Sequence, residues 1–189
     1  MKVCVFCSSS DAVDPVYFAA ATEMGALIGA GGHTLVYGGG RVGMMGAVAR
    51  AVHGNGGRVV GVIPEFMHRK GVAYEKCDEL TVTADMRERK ARMMETSEAF
   101  VALPGGFGTL EELSELITQL QFGIIVRPLA LVNTKSFFDP LAALFQRFYQ
   151  DRFAKPELGQ VLTLVPDPAE AMRHIHAFVP PRLVSKWFS

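Results

Sequence analysis

The sequence predicts a doubly wound α/β fold of the Rossmann-like kind: a mainly parallel sheet with helices on both faces. Three observations carry that expectation. Strand-sized and helix-sized segments alternate from one end of the chain to the other. Strand candidates such as Ala99-Phe100-Val101-Ala102-Leu103 and Leu129-Ala130-Leu131-Val132 are continuous apolar runs, the pattern of strands covered on both faces. Two glycine clusters, Gly38-Gly39-Gly40 and Gly105-Gly106-Phe107-Gly108, each follow such a run and precede a helix.

In order along the chain, Lys2–Cys7 is β-branched and reads as the first strand. Asp14-Pro15 supplies an N-cap and a proline at the first helical position for a helix over Val16–Ala30, and Gly31-Gly32 closes it in left-handed geometry. A strand at Thr34–Tyr37, a helix at Gly43–His53 and a strand at Arg58–Ile63 complete the first half. The second half repeats the alternation, with strands at Leu80–Thr83, Ala99–Leu103, Leu129–Val132 and Val161–Leu164. Helices are expected at Met86–Ser97, Leu110–Phe122, Pro140–Tyr149 and Pro168–Phe178. No linker, low-complexity tract or strong repeat divides the chain, so residues 1–189 are expected to form one domain. The segment after Pro180-Pro181 reads as an appendage in which Trp187 and Phe188 are available to dock on a neighbour.

A chain of 189 residues buries roughly 70% of its unfolded surface and needs no disulfide or metal as a staple. Nineteen basic and nineteen acidic residues cancel, and no Lys/Arg run is long enough to track a phosphate backbone, which argues against nucleic acid as a partner. Apolar stretches fall well short of the ~20 residues of a membrane span. MKVCVFCSSS lacks the apolar core and cleavage site of a signal peptide, so a cytoplasmic protein is expected. Three cysteines, an odd count, suit reduced thiols. Cys4 and Cys7, offset by three in a strand, point to opposite faces and read as buried structural thiols. His174 and His176 lie two apart on a helix and point away from each other, so no metal site is expected.

In such sheets ligands bind beyond the carboxyl ends of the strands, where helix N-termini expose backbone N–H groups. Both glycine clusters lie there, as does Ser8-Ser9-Ser10. Gly38-x-Gly40-x-x-Gly43 formally matches the dinucleotide fingerprint. It lies, however, on the second strand, and the acidic residue that should hold the ribose is at best Glu65, after Pro64. The chain also lacks a G-x-x-x-x-G-K-[ST] loop and with it the lysine that grips the phosphates of ATP. Two readings remain for the first cluster: close backbone approach to an anion, or glycines serving only a tight turn and close packing.

The stretch Pro104–Glu112 is more specific, because glycines, a hydroxyl and a carboxylate cross a strand-to-helix junction in fixed order. Several N–H groups and the helix dipole would favour a phosphate there. Thr109-x-x-Glu112 is also a capping box, in which Glu112 would reach back to the N-cap N–H. A carboxylate at the mouth of a phosphate site has a chemical use if the bond cleaved is sugar to base, since that transition state is oxocarbenium-like. Glu111 lies about 100° around the helix from Glu112 and does not share that role. Four cations, Arg87, Arg89, Lys90 and Arg92, crowd the first turns of the 86–97 helix against its dipole. Either an anionic partner or a solvated basic face accounts for them, and Arg89 and Arg92, one turn apart, could face one cavity.

PGGFGTLEE resembles the PGGxGTxxE signature of the Lonely Guy family, once misnamed lysine decarboxylases, and MRERK resembles its M-x-x-R-K segment. FCSSS at the first strand, YGGG with GMMG after the second and VIPEF after the third extend the resemblance over nearly the whole chain. It implies a cytokinin riboside 5′-monophosphate phosphoribohydrolase, which hydrolyses the N-glycosidic bond of an N6-modified adenosine 5′-monophosphate to free base and ribose 5-phosphate without a cofactor. By motif, Glu112 and Arg89 would be the catalytic pair, Gly105, Gly106, Gly108 and Thr109 the phosphate cradle, and Lys90 a supporting cation. Ser8, Ser9, Gly39 and Gly40 would complete the substrate-binding loops. The family's usual dimer implies a homodimer with the site near the interface, and makes Met93, Met94 and Phe122 candidate partner contacts. The family commonly has FCGSS where this chain has Ser8, so the backbone geometry of that loop is in question. The decarboxylase label fails on chemistry, because such reactions use a lysine Schiff base to pyridoxal phosphate and none of the seven lysines has such a setting. The alternative from another class is a non-catalytic nucleotide or phosphate-ligand binding module, in which Glu112 is only a cap.

Overall fold

The computed structural model describes residues 1–181 and contains one seven-stranded sheet. Its strands are β1 (Lys2–Phe6), β2 (Thr34–Tyr37), β3 (Arg58–Pro64), β4 (Glu79–Thr83), β5 (Ala99–Ala102), β6 (Leu129–Val132) and β7 (Thr163–Val165). They run in the order β4-β3-β2-β1-β5-β6-β7, and every neighbouring pair is parallel. The strand order reverses between β1 and β5, so the loops that follow these two strands flank the crevice where such sheets bind ligands.

Among the described residues six α-helices connect the strands and a seventh follows β7: α1 (Pro15–Ala30), α2 (Gly43–Gly54), α3 (Glu65–His68), α4 (Met86–Thr96), α5 (Phe107–Gln121), α6 (Asp139–Gln150) and α7 (Pro168–His176). On one face α1, α2 and α7 bury Met24, Ile28, Val48 and Met172 against Val3, Val5 and Leu35. On the other, α4 and α5 bury Met93, Met94, Leu113 and Leu116 against Cys4, Phe6 and Phe100. Cys4 and Cys7 thus enter opposite cores as free thiols, and burial pushes both far above the ordinary cysteine range.

The predicted alternation holds, with local differences. The short helix α3 and the 3-10 turns Thr134–Ser136 and Pro156–Val161 were not anticipated, and the last strand lies at Thr163–Val165 because the second turn consumes Val161. Helix α5 begins at Phe107, three residues before the expected start. Met93 and Met94 are 1% and 2% exposed and belong to the local core, which corrects their assignment as partner contacts; Phe122 is 48% exposed. Trp187 and Phe188 lie outside the described residues. Among the described residues no helix is long and apolar enough to cross a membrane.

Local chemistry sets the boundaries. The Asp14 carboxylate accepts the Val16 N–H at 3.0 Å with Pro15 at the first position, and Gly32 turns the chain out of α1 at φ +67°. Helices α1 and α2 approach closely through glycine: a Cβ on Gly25 would sit 2.4 Å from the Val48 carbonyl oxygen, and one on Gly29 would sit 2.6 Å from that of Val52. Gly25→Ala gains up to about 1 kcal/mol of helix propensity but forces a backbone apart, at a cost of about 1–3 kcal/mol. We expect a net fall in thermal stability on scanning calorimetry; an unchanged or raised midpoint would show that the helices part freely.

Candidate active site

The two glycine clusters resemble each other in sequence and differ in what surrounds them. The first is closed. Gly39 takes φ +72° with no room for a Cβ beside Ile63, and Gly43 takes φ +62° against the backbone of Ser9 and Ser10. The Gly43 N–H, at the start of α2, donates to Asp11 Oδ1 at 2.8 Å, and the Met45 N–H donates to the Ser8 carbonyl at 3.2 Å. A carboxylate therefore occupies the place where a dinucleotide fingerprint would hold pyrophosphate. Glu65 does not reach toward a ribose either, since it opens α3 and pairs with Arg69 at 2.5 Å.

The second cluster is open. Gly106 is the N-cap of α5 with no side-chain cap, and a Cβ on Gly106 or Gly108 would meet nothing within 4 Å. The N-terminal donors of α5 are presented to the crevice in the way that suits an anion. Gly105 is different again, because its Cβ would strike the Thr109 side chain at 2.1 Å. Thr109 is buried as the third residue of the helix, so it is not the N-cap, and Glu112 is not a capping-box partner.

What Glu112 does instead is pair with α4. Arg89 Nη1 donates to Glu112 Oε1 at 2.7 Å, Arg89 Nε donates to the Val62 carbonyl of β3 at 3.2 Å, and the two residues are 6% and 5% exposed. Among the described residues no fully buried side-chain polar atom lacks a partner. Burial pushes the Glu112 carboxyl above the ordinary glutamate range, while the guanidinium pulls it back only in part. Such a pair is poor value for stability, and its retention in a crevice is the pattern of a working site.

Gly38 makes the pairing possible. A Cβ there would lie 1.9 Å from Arg89 Nη2 and 2.7 Å from Met45 Cε, so the guanidinium rests on bare backbone. Sequence reasoning passed over Gly38 as a site residue, although YGGG contained the signal. The other cations of α4 separate by helix face. Arg89 and Lys90 turn inward with Met93 and Met94, while Arg92 lies outside near Glu95 at 4.0 Å and does not share a cavity with Arg89. Lys90 Nζ sits between Glu111 at 2.6 Å and Glu115 at 2.7 Å, bonds that raise its pKa and tie α4 to α5. The crowding at the start of α4 is offset by Asp85, whose carboxylate accepts the Arg87 and Glu88 N–H groups at 2.8 and 2.9 Å.

Ser8 and Ser9 follow β1, beside the crevice. Ser8 is absent from the non-glycine residues of positive φ, so the serine in place of the family glycine carries no backbone strain; its hydroxyl accepts the Ser10 N–H at 3.1 Å. Gly40 is buried, and its carbonyl accepts the Tyr37 hydroxyl at 3.1 Å. Ser8 and Ser9 follow β1 and Gly105, Gly106, Gly108 and Thr109 follow the adjacent strand β5, while Glu112, one turn further along α5, meets Arg89. Gly39 and Gly40 belong to the closed first cluster, and the Lys90 ammonium is engaged by carboxylates. Among the described residues no cluster of three His, Cys, Asp or Glu could hold a metal ion.

Gly38→Ala drives a methyl group into the guanidinium. We expect a folded protein whose turnover falls on the order of 10²-fold, as a misplacement of about 1 Å can cause. Gly54→Ala, placed in open space at the end of α2, should fold as well as the parent and serves as the control in the same assay.

A family model described as "Possible lysine decarboxylase" matches residues 45–175. A probable cytokinin riboside 5′-monophosphate phosphoribohydrolase of Oryza sativa subsp. japonica is 40% identical over 187 residues, 98% of this chain and 77% of that protein. A cytokinin riboside 5′-monophosphate phosphoribohydrolase of Arabidopsis thaliana is 40% identical over 179 residues, 95% of this chain and 78% of that protein. Among solved structures, the molybdenum cofactor carrier protein of Chlamydomonas reinhardtii superposes with a TM-score of 0.71 at 21% identity, covering 94% of this chain and 98% of that one, a likeness of fold. With the signature residues of α4 and α5 in contact and relatives of this similarity along nearly its whole length, the chain belongs to the Lonely Guy family, whose model still bears the lysine decarboxylase description.

Proposed function

We propose that Glu112 and Arg89 are the catalytic pair of a cofactor-independent hydrolase. The chain hydrolyses the N-glycosidic bond of N6-modified adenosine 5′-monophosphates, releasing the free base and ribose 5-phosphate, the activity named for relatives at about 40% identity. The 5′-phosphate binds the open N-terminus of α5 at Gly105, Gly106, Gly108 and Thr109. As the bond from C1′ to the base nitrogen breaks, the base leaves with the electron pair and the sugar becomes cationic. Glu112 Oε2 faces that cation and orients the water whose oxygen adds to C1′; the water's proton passes to the carboxylate and from there to the departed base, which neutralises the base and restores the carboxylate. Arg89 holds Glu112 ionised and aimed despite its burial.

The observation that carries this reading is the burial of Glu112 against Arg89, in a helix whose N-cap is Gly106 and in which Glu112 has no capping role. A binding module in which Glu112 is only a cap has no use for that arrangement. Decarboxylation fares worse: Lys90, the lysine beside the site, is held protonated by Glu111 and Glu115, the opposite of the amine that a Schiff base needs.

Glu112→Gln can still accept from Arg89 and should fold normally. Incubated separately with isopentenyladenosine 5′-monophosphate, its riboside and AMP, the parent should release base only from monophosphates, and the variant should be slower by about 10²–10⁴-fold. The parent's rate should rise with pH through an acid limb above the ordinary glutamate range, because protonation of Glu112 removes the base; the variant should lack that limb. Near-parental turnover in the variant overturns the assigned role.

We further propose a homodimer seated on α5 and α6. Phe107 is 92% exposed, Leu110 43%, Leu144 47% and Phe153 79%, and a groove of about 400 Å³ between the two helices is lined by Ile117, Phe145, Phe148 and Phe153. Monomers rarely leave so much contiguous apolar surface to water. Light scattering should give twice the chain mass, and Phe148→Glu should return it to the monomer value; a monomeric parent refutes the dimer.

A further inference from the structure

We infer that His53, at the far end of α2, is a positioning residue for the Arg89–Glu112 pair, acting through Tyr74 and the glycine turn after β2. The inference rests on the hydrolytic reading for its kinetic test. His53 Nε2 lies 3.0 Å from Asp78 Oδ2, and Nδ1 lies 3.1 Å from the Tyr74 hydroxyl. A carboxylate only accepts, so Nε2 carries the proton and, in the neutral ring, Nδ1 accepts from Tyr74. Asp78 is itself fixed to the sheet, since the same oxygen accepts the Val59 N–H at 2.8 Å. The imidazole is therefore a bridge between an anchored carboxylate and a tyrosine.

Tyr74 belongs to a segment, residues 69–78, that contains no helix or regular strand and yet supports the first glycine cluster. The Tyr74 N–H donates to the Gly39 carbonyl at 2.8 Å. The Arg41 N–H donates to the Val72 carbonyl at 2.9 Å, Arg41 Nε donates to the Gly71 carbonyl at 2.9 Å, and Gly40 and Ala73 form an antiparallel bridge. The residue before Gly39 is Gly38, on whose backbone the Arg89 guanidinium rests. An unbroken series of contacts thus runs from Asp78 and His53 to Tyr74, Gly39, Gly38, Arg89 and Glu112. Backbone bonds set the register of this segment, and His53 adds a side-chain pin at Tyr74, the residue whose N–H bonds the turn.

Tyr74→Phe removes one hydroxyl and keeps the ring; His53→Ala removes the bridge; His53→Gln restores one donor and one acceptor. We expect kcat to fall on the order of tenfold in Tyr74→Phe and further in His53→Ala, with KM changed less than about twofold and partial recovery in His53→Gln. In parallel, the Arg89 Nε–H should exchange faster with solvent in Tyr74→Phe, read by NMR on the unliganded protein. An unchanged kcat in Tyr74→Phe, or an Arg89 Nε–H that keeps its protection, overturns the inference and leaves the bridge a purely stabilising feature. If the parent releases no base, the hydrolytic reading fails by itself, and the exchange measurement alone decides the role of His53.

Discussion

The structure around the crevice is organised by the need to keep one carboxylate ionised while it is almost wholly withdrawn from water. Desolvation drives Glu112 toward its neutral form, and the Arg89 guanidinium, with a smaller contribution from the Lys90 charge, opposes it. For that opposition to work the two groups must meet from different helices at a fixed distance. Each local feature can be read as serving that meeting. Val62 holds Arg89 Nε from the sheet, Gly38 yields the space the guanidinium occupies, and Asp85 caps the helix that carries it. The adjacent helix starts early, at Phe107, which places Glu112 where it turns toward α4.

The two glycine clusters show how one residue type serves opposite ends. In the first, missing side chains let protein pack against protein: Gly38 against Arg89, Gly39 against Ile63, Gly43 against the Ser9 backbone. Its helix N-terminus is already satisfied by Asp11. In the second, Gly106 and Gly108 face empty space and their helix has no side-chain cap. The match of the first cluster to a dinucleotide fingerprint is formal, and the open cluster is the one that matches no dinucleotide pattern.

Much of this was legible in the sequence, for identifiable reasons. Alternating apolar runs and helical segments are local signals, and they located all seven strands. The glycine-to-glutamate order across Pro104–Glu112 identified the second cluster because it mixes conformational freedom with chemistry. Illegible features depended on contacts far apart in the chain. That Glu112 turns to Arg89 and not to a cap follows from where α4 packs, 23 residues away in sequence. That Gly38 seats the guanidinium requires knowing that α4 crosses the turn after β2. Met93 and Met94 had a helical spacing equally suited to core and interface, and only burial decides between these. Arg92 was paired with Arg89 by spacing alone, yet the inward face of α4 runs through positions 89, 90, 93 and 94 and excludes it.

Lys90 follows Arg89 in sequence and bonds neither member of the pair, yet it braces the two helices that carry them. Its ammonium, held by Glu111 and Glu115, works as a strut between α4 and α5 outside the crevice. Because the strut needs no ligand, the spacing of α4 and α5 that sets Arg89 against Glu112 is already present in the unliganded protein.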